Sequence, residues 1–169
     1  MPKVIKDKQV IDDLWSVLGL QDMQSFDGHS THLIVPLEDY FTCFESKPSG
    51  ETIYGIWLYG HQFRELNENI KDVLALPIIA IYFSDFTDGR GFSLATLLIE
   101  RYGYKGELRA FGNILPDQLL YLQRCGFNAF SLEGEEDLEK SCKALTRSSE
   151  SYQFASDQAT PLFKQRCST

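Results

Sequence analysis

The chain has 169 residues, of which 43% are hydrophobic and 13% aromatic, and its formal net charge is −8. The length suits one domain with a substantial core, and the composition is that of an ordinary soluble globular protein rather than a disordered one. Because an acidic chain repels phosphate backbones and no cluster of basic residues is visible, nucleic-acid binding is disfavoured.

The cysteines are widely spaced, with no CxxC pair and no histidine beside them at metal-ligand spacing, so no metal site is predicted. They are Cys43, Cys125, Cys142 and Cys167. No secretion signal opens the chain, which argues against a disulfide framework. The apolar runs are too short to span a bilayer. We therefore expect a reduced, cytoplasmic protein without a membrane anchor.

Residues 1–31 give only weak signals. The first ten suit a short extended segment, and residues 12–19 suit a helical turn that ends at Gly19. The polar, turn-rich stretch that follows suits a connection. We expect this whole segment to be peripheral.

From His32 onward, short apolar runs alternate with stretches of helical spacing. Residues 78–83, IIAIYF, form a near-continuous apolar run, which is typical of a strand covered on both faces. The predicted strands are residues 32–35, 53–59, 78–83, 108–111 and 128–132. The predicted helices follow them at residues 37–45, 60–75, 92–102, 116–125 and 135–147.

Five successive strand–helix units predict an α/β fold with a mostly parallel sheet and right-handed crossovers. Five strands are too few to close an eight-stranded barrel, so we expect an open, doubly wound sheet with helices on both faces. A partial β/α barrel is the alternative. We divide the chain into a peripheral N-terminal segment (1–31), a single α/β domain (32–147) and a polar C-terminal tail (148–169). The tail is expected to wrap the surface or to pair with another chain.

Two polar loops follow the third and fourth predicted strands and should project from the same edge of the sheet, where parallel α/β folds bind ligands. Their polar residues form the candidate ligand site. These residues are Asp85, Asp88, Arg90 and Ser93 in the first loop, and Asn113, Asp117 and Gln118 in the second. Gly89 and Gly91 would let a ligand approach the backbone of the first loop.

A purely structural interpretation of both loops stays open. Asp88-Gly89 is a common turn pair, Asp85 can cap, and Arg90 can neutralise both acids. The side chains of the second loop can do no more than cap the helix that follows.

Arg109 is unusual because its neighbours in the predicted strand look buried. A guanidinium in a strand covered on both faces needs an acid partner or an anionic ligand, and Asp85 or Asp88 could be that partner. Alternatively, the strand lies at an edge and the arginine reaches solvent along its methylene stem.

No conventional catalytic set is visible, so catalytic residues and cofactors stay unknown. The chain has no G-x-S-x-G elbow, no HExxH motif and no cysteine–histidine pair. The first loop is neither a GxGxxG motif nor a P-loop, so no nucleotide site is implied. His61, after the second predicted strand, is the one histidine placed for acid–base work, but the sequence favours a satisfied surface histidine instead.

The run FTDGRGFS…LLIERYGYKGELRAFG…DQL…RCGFNAF resembles a bacterial family of uncharacterised domains that bear an oxidoreductase label and lie beside assimilatory sulfate-reduction genes. The resemblance is dense over residues 78–132 and looser through 33–40 and 55–59. It implies a small cytoplasmic accessory protein of sulfite reduction, with sulfite reductase or another sulfur-assimilation protein as partner. The label itself rests on gene neighbourhood.

Most of the family's motif positions are occupied here as the resemblance expects. They are Asp85, Thr87, Asp88, Gly89, Arg90, Ser93, Arg101, Gly106, Glu107, Arg109, Gly112, Asp117, Gln118 and Arg124. Two positions depart from the motif. Asn113 stands where the family usually has an acid, and Pro116 where it has a basic residue. A proton acceptor at the first position would therefore be missing in this member.

Three hypotheses follow. The first is an auxiliary protein of sulfite reduction that holds a small anion or a pathway partner at the two loops. The second is an oxidoreductase that uses a flavin or nicotinamide. The third is a protein–protein adaptor, or a homodimer, that uses the tail aromatics Tyr152, Phe154 and Phe163.

Overall fold

The computed structural model describes residues 2–19, 31–43, 52–85, 87–132 and 138–147. Its strands are β1 (Lys3–Lys6), β2 (Gln9–Asp12), β3 (Ser16–Val17), β4 (His32–Pro36), β5 (Ile53–Tyr59), β6 (Ile78–Phe83), β7 (Glu107–Gly112) and β8 (Ala129–Leu132). Its helices are α1 (Leu37–Cys43), α2 (Phe63–Glu68), α3 (Ile70–Leu74), α4 (Arg90–Glu100), α5 (Leu119–Arg124) and α6 (Leu138–Arg147), with a 3-10 turn at Pro116–Gln118. No helix in the described ranges is long and apolar enough to cross a membrane.

All five predicted strands are confirmed, as β4 to β8, and neighbours in sequence are parallel neighbours in the sheet. The sheet also contains strands that the sequence did not predict. Its full order within the described residues is β2-β1-β8-β7-β6-β5-β4-β3. The parallel part therefore advances in one direction from β4 to β8 and never reverses.

The helices contribute to one face of this sheet, which we call the outer face. Side chains such as Leu66, Leu94 and Leu122 form a single core cluster with Ile56, Ile79 and other sheet residues of that face. The alternate sheet residues form a separate inner-face cluster, built on Ile34, Trp57, Ile78 and Ala80, to which none of the described helices contributes. The predicted doubly wound sheet is therefore wrong. The alternative, a partial barrel, describes the observed curled half-barrel.

The chain connection between the two edges of the sheet explains the curl. β2 ends one edge at Asp12 and β3 begins the opposite edge at Ser16, so three residues join strands at the two extremes of the order. Eight flat strands would separate these edges by about 34 Å, whereas four residue steps span at most about 14 Å. The crossing lies on the inner face, where Trp15 packs against the inner-face cluster. The inner face is therefore the concave one.

The N-terminal segment needs correction, because it is part of the sheet rather than peripheral. β1 pairs antiparallel with β8, and Val4 and Ile5 are completely buried. The helical turn predicted at residues 12–19 is absent from the described structure there, since Ser16–Val17 pairs with β4. β1 and β2 form a local hairpin, but the strand that joins this hairpin to the sheet, β8, lies more than 120 residues away in sequence, which the short and weakly patterned segment does not reveal. The expectations for the tail at 148–169 lie outside the described residues.

Candidate functional site

A row of aromatic side chains crosses the carboxyl ends of three neighbouring parallel strands on the inner face. Tyr59 of β5 pairs with Tyr82 of β6, which pairs with Phe111 of β7, and Ser131 of β8 continues the row. All four side chains are partly exposed. The carboxyl ends of parallel strands are where α/β folds bind ligands, so this row lies at the expected position for a site.

The rings of this aromatic row contact one another mostly edge to face. The ring centroids of Tyr59 and Tyr82 are 5.4 Å apart, and those of Tyr82 and Phe111 are 5.1 Å apart. Trp57 lies two residues before Tyr59 in β5, and its ring centroid is 5.4–6.0 Å from the centroids of all three rings. Its indole N–H donates a 2.7 Å hydrogen bond to the carbonyl of Leu18. The aromatic row therefore packs against a buried tryptophan whose N–H group is hydrogen-bonded.

The carboxyl ends of the parallel strands and the segments that follow them form one rim of the half-barrel. Two glycines hold these segments in close contact. A Cβ on Gly60 would lie 2.5 Å from the backbone nitrogen of Gly91, so the loop after β5 touches the backbone of the first turn of α4. Gly112 has φ +92, and a Cβ there would lie 2.6 Å from both the Phe83 carbonyl and the Tyr82 ring. Side chains at either position would separate the loops, which only glycine avoids.

An ion pair between residues two positions apart lies where the loop after β6 meets α4. The Nε and Nη2 groups of Arg90 donate to the two oxygens of Asp88 at 2.9 and 2.8 Å. These hydrogen bonds hold the pKa of Asp88 below its ordinary value, against a smaller opposing effect of desolvation. His61 lies close enough to Asp88 to lower its pKa slightly as well, and its ring stacks on Tyr59 at 5.3 Å.

Several of the other predicted residues make hydrogen bonds within or between the two loops. Asp85 accepts hydrogen bonds from the backbone N–H and hydroxyl of Thr87 at 2.7 and 2.6 Å, which lower its pKa. Gln118 accepts the backbone N–H of Leu115 at 3.1 Å and so caps the 3-10 turn. The backbone N–H of Asn113 donates to the Phe83 carbonyl at 2.8 Å, which joins the two loops.

The remaining predicted residues are exposed. The side chains of Asn113 and Asp117 lie on the surface of the second loop. Ser93 is also exposed, but it lies inside α4 and does not cap it, because the helix already begins at Arg90. It borders an outer groove of about 670 Å³ between α4 and α5, together with Phe92 and Tyr121. The ligand-binding role of all these residues stays a prediction.

Arg109 is not brought to this rim. Its side chain is 2% exposed, and it bonds Asp13 at 2.8 and 3.0 Å and Glu107 at 2.7 Å on the inner face. Lys6 completes the cluster through a 2.7 Å bond to Glu107. The predicted partners Asp85 and Asp88 and the edge-strand alternative are therefore both wrong. The need for an acid partner was correct, but the partners come from the N terminus and from β7 itself.

Comparison with known proteins places the chain in a family. Residues 55–163 match a family of bacterial proteins of unknown function, DUF934. The match covers well over half of the chain and contains most of β5 and all of β6 to β8. The chain belongs to the DUF934 family. No curated protein matches it. The family description names no reaction, so the link to sulfite reduction stays a proposal.

The aromatic row of this DUF934 member was not among the site residues predicted from the sequence. The signal was present in the register: IYGIWLY, IIAIYF and ELRAFG each place an aromatic residue at the last or next-to-last position of a strand. Its significance depended on knowing that the alternate residues face a concave surface without helices. Among the described residues, no group of three or more His, Cys, Asp or Glu is arranged to hold a metal ion.

Proposed function

We propose that this DUF934 member is an auxiliary protein of assimilatory sulfite reduction that binds a small oxyanion at the carboxyl rim of its half-barrel. The resemblance to domains encoded beside sulfate-reduction genes supports the pathway. The guanidinium of Arg90 supports the ligand class, since planar guanidinium groups bind oxyanions through paired N–H donors.

The single observation that carries the anion site is the state of Arg90. Its side chain is 62% exposed at the rim, and Asp88 engages Nε and Nη2. No described residue bonds Nη1, which can therefore donate outward. Asp88 thus fixes the orientation of the guanidinium while it leaves part of the donor set to a ligand. Gly89 adds space, because no atom lies within 4 Å of a Cβ built there.

Isothermal titration calorimetry with sulfite and with sulfate at low ionic strength tests this function. We expect saturable binding that Arg90→Ala abolishes. Arg64→Ala is the matched control, because Arg64 is a highly exposed arginine at the start of the neighbouring α2. Equal loss of binding in both variants, or binding that survives Arg90→Ala, would show that this site does not hold the anion.

A further inference from the structure

The aromatic row of Tyr59, Tyr82 and Phe111 lies beside the proposed anion site, and its role extends beyond that site. We infer that the row is a stacking platform for a flat heteroaromatic ring whose acidic substituent is held at Arg90. The position of the acidic group rests on the proposed function, whereas the binding of the ring does not.

The two halves of the inner face differ in how they are filled. The half nearer the amino ends of the parallel strands, here called the lower half, is covered by the chain crossing, where Trp15 packs against the cluster that contains Ile34, Trp57 and Ile78. The ion cluster around Arg109 occupies the space next to it. The upper half carries the aromatic row, which stays partly exposed. The fold thus seals one end of its concave surface and leaves large aromatic groups accessible at the other end, where ligands bind in parallel α/β folds.

Within the described part of the chain, the two tyrosine hydroxyls of the row have no hydrogen-bond partner. No hydrogen bond among the described residues involves the hydroxyl of Tyr59 or of Tyr82, in contrast to Tyr104, whose buried hydroxyl donates to the carbonyl of Leu76 at 3.0 Å. Phenol groups that combine an accessible ring with an unpaired hydroxyl suit ligands with both a π face and polar ring substituents. An aliphatic ligand would use only the ring.

One cationic group beside the row, Arg90, favours an anionic form of such a ligand. The whole chain carries a formal charge of −8, yet the exposed Arg90 lies at the rim. Close contact between the Gly60 and Gly91 backbones places the loop of His61 directly against the loop of Arg90. His61 in turn stacks on Tyr59, so a continuous series of contacts connects the aromatic row to Arg90. A heteroaromatic ring with a phosphate group matches this arrangement.

Fluorescence titration of the Trp15→Phe protein tests the platform, since the sequence has two tryptophans and Trp57, which touches all three rings, is then the reporter. The probes are flavin mononucleotide, riboflavin and adenosine monophosphate. We expect saturable quenching by flavin mononucleotide, with the dissociation constant raised about tenfold by Tyr82→Leu or by Phe111→Leu, since each removes a stacking partner but keeps apolar volume.

Tyr121→Leu is the matched control, because Tyr121 is a 57% exposed tyrosine in the outer groove, and affinity should stay within about twofold. Tyr82→Phe keeps the ring and should retain most of the affinity, which guards against misfolding of the leucine variants. Failure of all three probes to bind below about 1 mM would overturn the platform, as would equal losses in Tyr82→Leu and Tyr121→Leu. Riboflavin binding without any response to sulfite or sulfate would preserve the platform and reject the proposed anion function.

Discussion

The carboxylate of Asp13 accepts two hydrogen bonds from the guanidinium of Arg109, at 3.0 and 2.8 Å, although the two residues lie 96 positions apart. The guanidinium is 2% exposed and the carboxylate 9% exposed. Glu107 accepts a hydrogen bond from Nε of Arg109 and lies 2.7 Å from Nη2, and Lys6 bonds Glu107 in turn. The N-terminal crossing is thus attached to the middle of the sheet by charge as well as by packing.

We predict that Asp13→Ala lowers the free energy of unfolding by about 3–5 kcal/mol, because it leaves the Arg109 charge buried with too few partners. Urea denaturation at neutral pH measures this change. Asp12→Ala is the control, since Asp12 is the exposed neighbour, and it should change stability by no more than about 0.5 kcal/mol. Similar small effects for both variants would mean that water compensates Arg109 when Asp13 is lost.

The N-terminal hairpin should behave as part of the core. Ile5 is fully buried between β8 and the outer-face cluster, whereas Ile11 on β2 is 39% exposed. We predict that Ile5→Ala costs about 2–5 kcal/mol of stability through lost burial and the cavity that remains. Ile11→Ala, the same chemical change in the same hairpin, should cost well under half as much. Thermal or urea unfolding that ranks the two equally would contradict the observed pairing of β1 with β8.

Gly112 should tolerate no side chain. Its positive φ is strained for any residue with a Cβ, and that atom would collide with the Phe83 carbonyl and the Tyr82 ring. We predict that Gly112→Ala destabilises the protein by about 1–3 kcal/mol and changes the near-ultraviolet circular dichroism of the aromatic row. Gly89→Ala is the control, with φ −73 and open space around the added atom. An unperturbed Gly112→Ala spectrum would show that the Tyr82 ring is not fixed by this contact.

The Asp88–Arg90 pair should persist to mildly acidic pH. The hydrogen bonds from Arg90 lower the pKa of Asp88 from its ordinary value of 3.8. The pair therefore stabilises the folded state above that value, and this stabilisation is lost as the pH falls through the lower pKa of the folded protein.

We predict that Arg90→Ala raises the pKa of Asp88, as measured by the carboxyl carbon resonance in an NMR titration, and that Arg64→Ala does not change it. Because Arg90 is largely exposed, solvent screening should keep the contribution of the pair to stability small. A titration midpoint that does not move in Arg90→Ala would assign the shift to another group.

The parallel strands could be predicted because each carries its own apolar signal. Residues 78–83 are apolar throughout, and the stop at Gly103 and the proline at 116 mark helix boundaries without tertiary information. The arrangement of helices could not be predicted, since doubly wound sheets and half-barrels use the same strand–helix alternation. What distinguishes them is the order of the strands, which depends here on a three-residue crossing with little sequence signal.

In the candidate site, too, local interactions could be predicted from the sequence and contacts between distant residues could not. The ion pair of Asp88 and Arg90 is local, and the sequence alone suggested that Arg90 could neutralise the acids around it. The partner of Arg109 could not be identified, because Asp13 lies in a segment with no clear pattern and becomes adjacent only after the sheet curls. Likewise, Tyr82 has the sequence context of a packing residue. Its exposure at the rim follows from the curl rather than from its neighbours in the chain.

The short crossing between Asp12 and Ser16 also has a consequence for how the protein is made. β1 leaves the ribosome long before β7 and β8 exist, yet its pairing with β8 and the ion pair of Asp13 with Arg109 depend on those later strands. Contacts between such distant positions form slowly, since they close long loops. The N terminus should thus attach last, after most of the polypeptide has been synthesised. A bulky fusion placed just before residue 2 would then interfere with maturation more than with the finished protein.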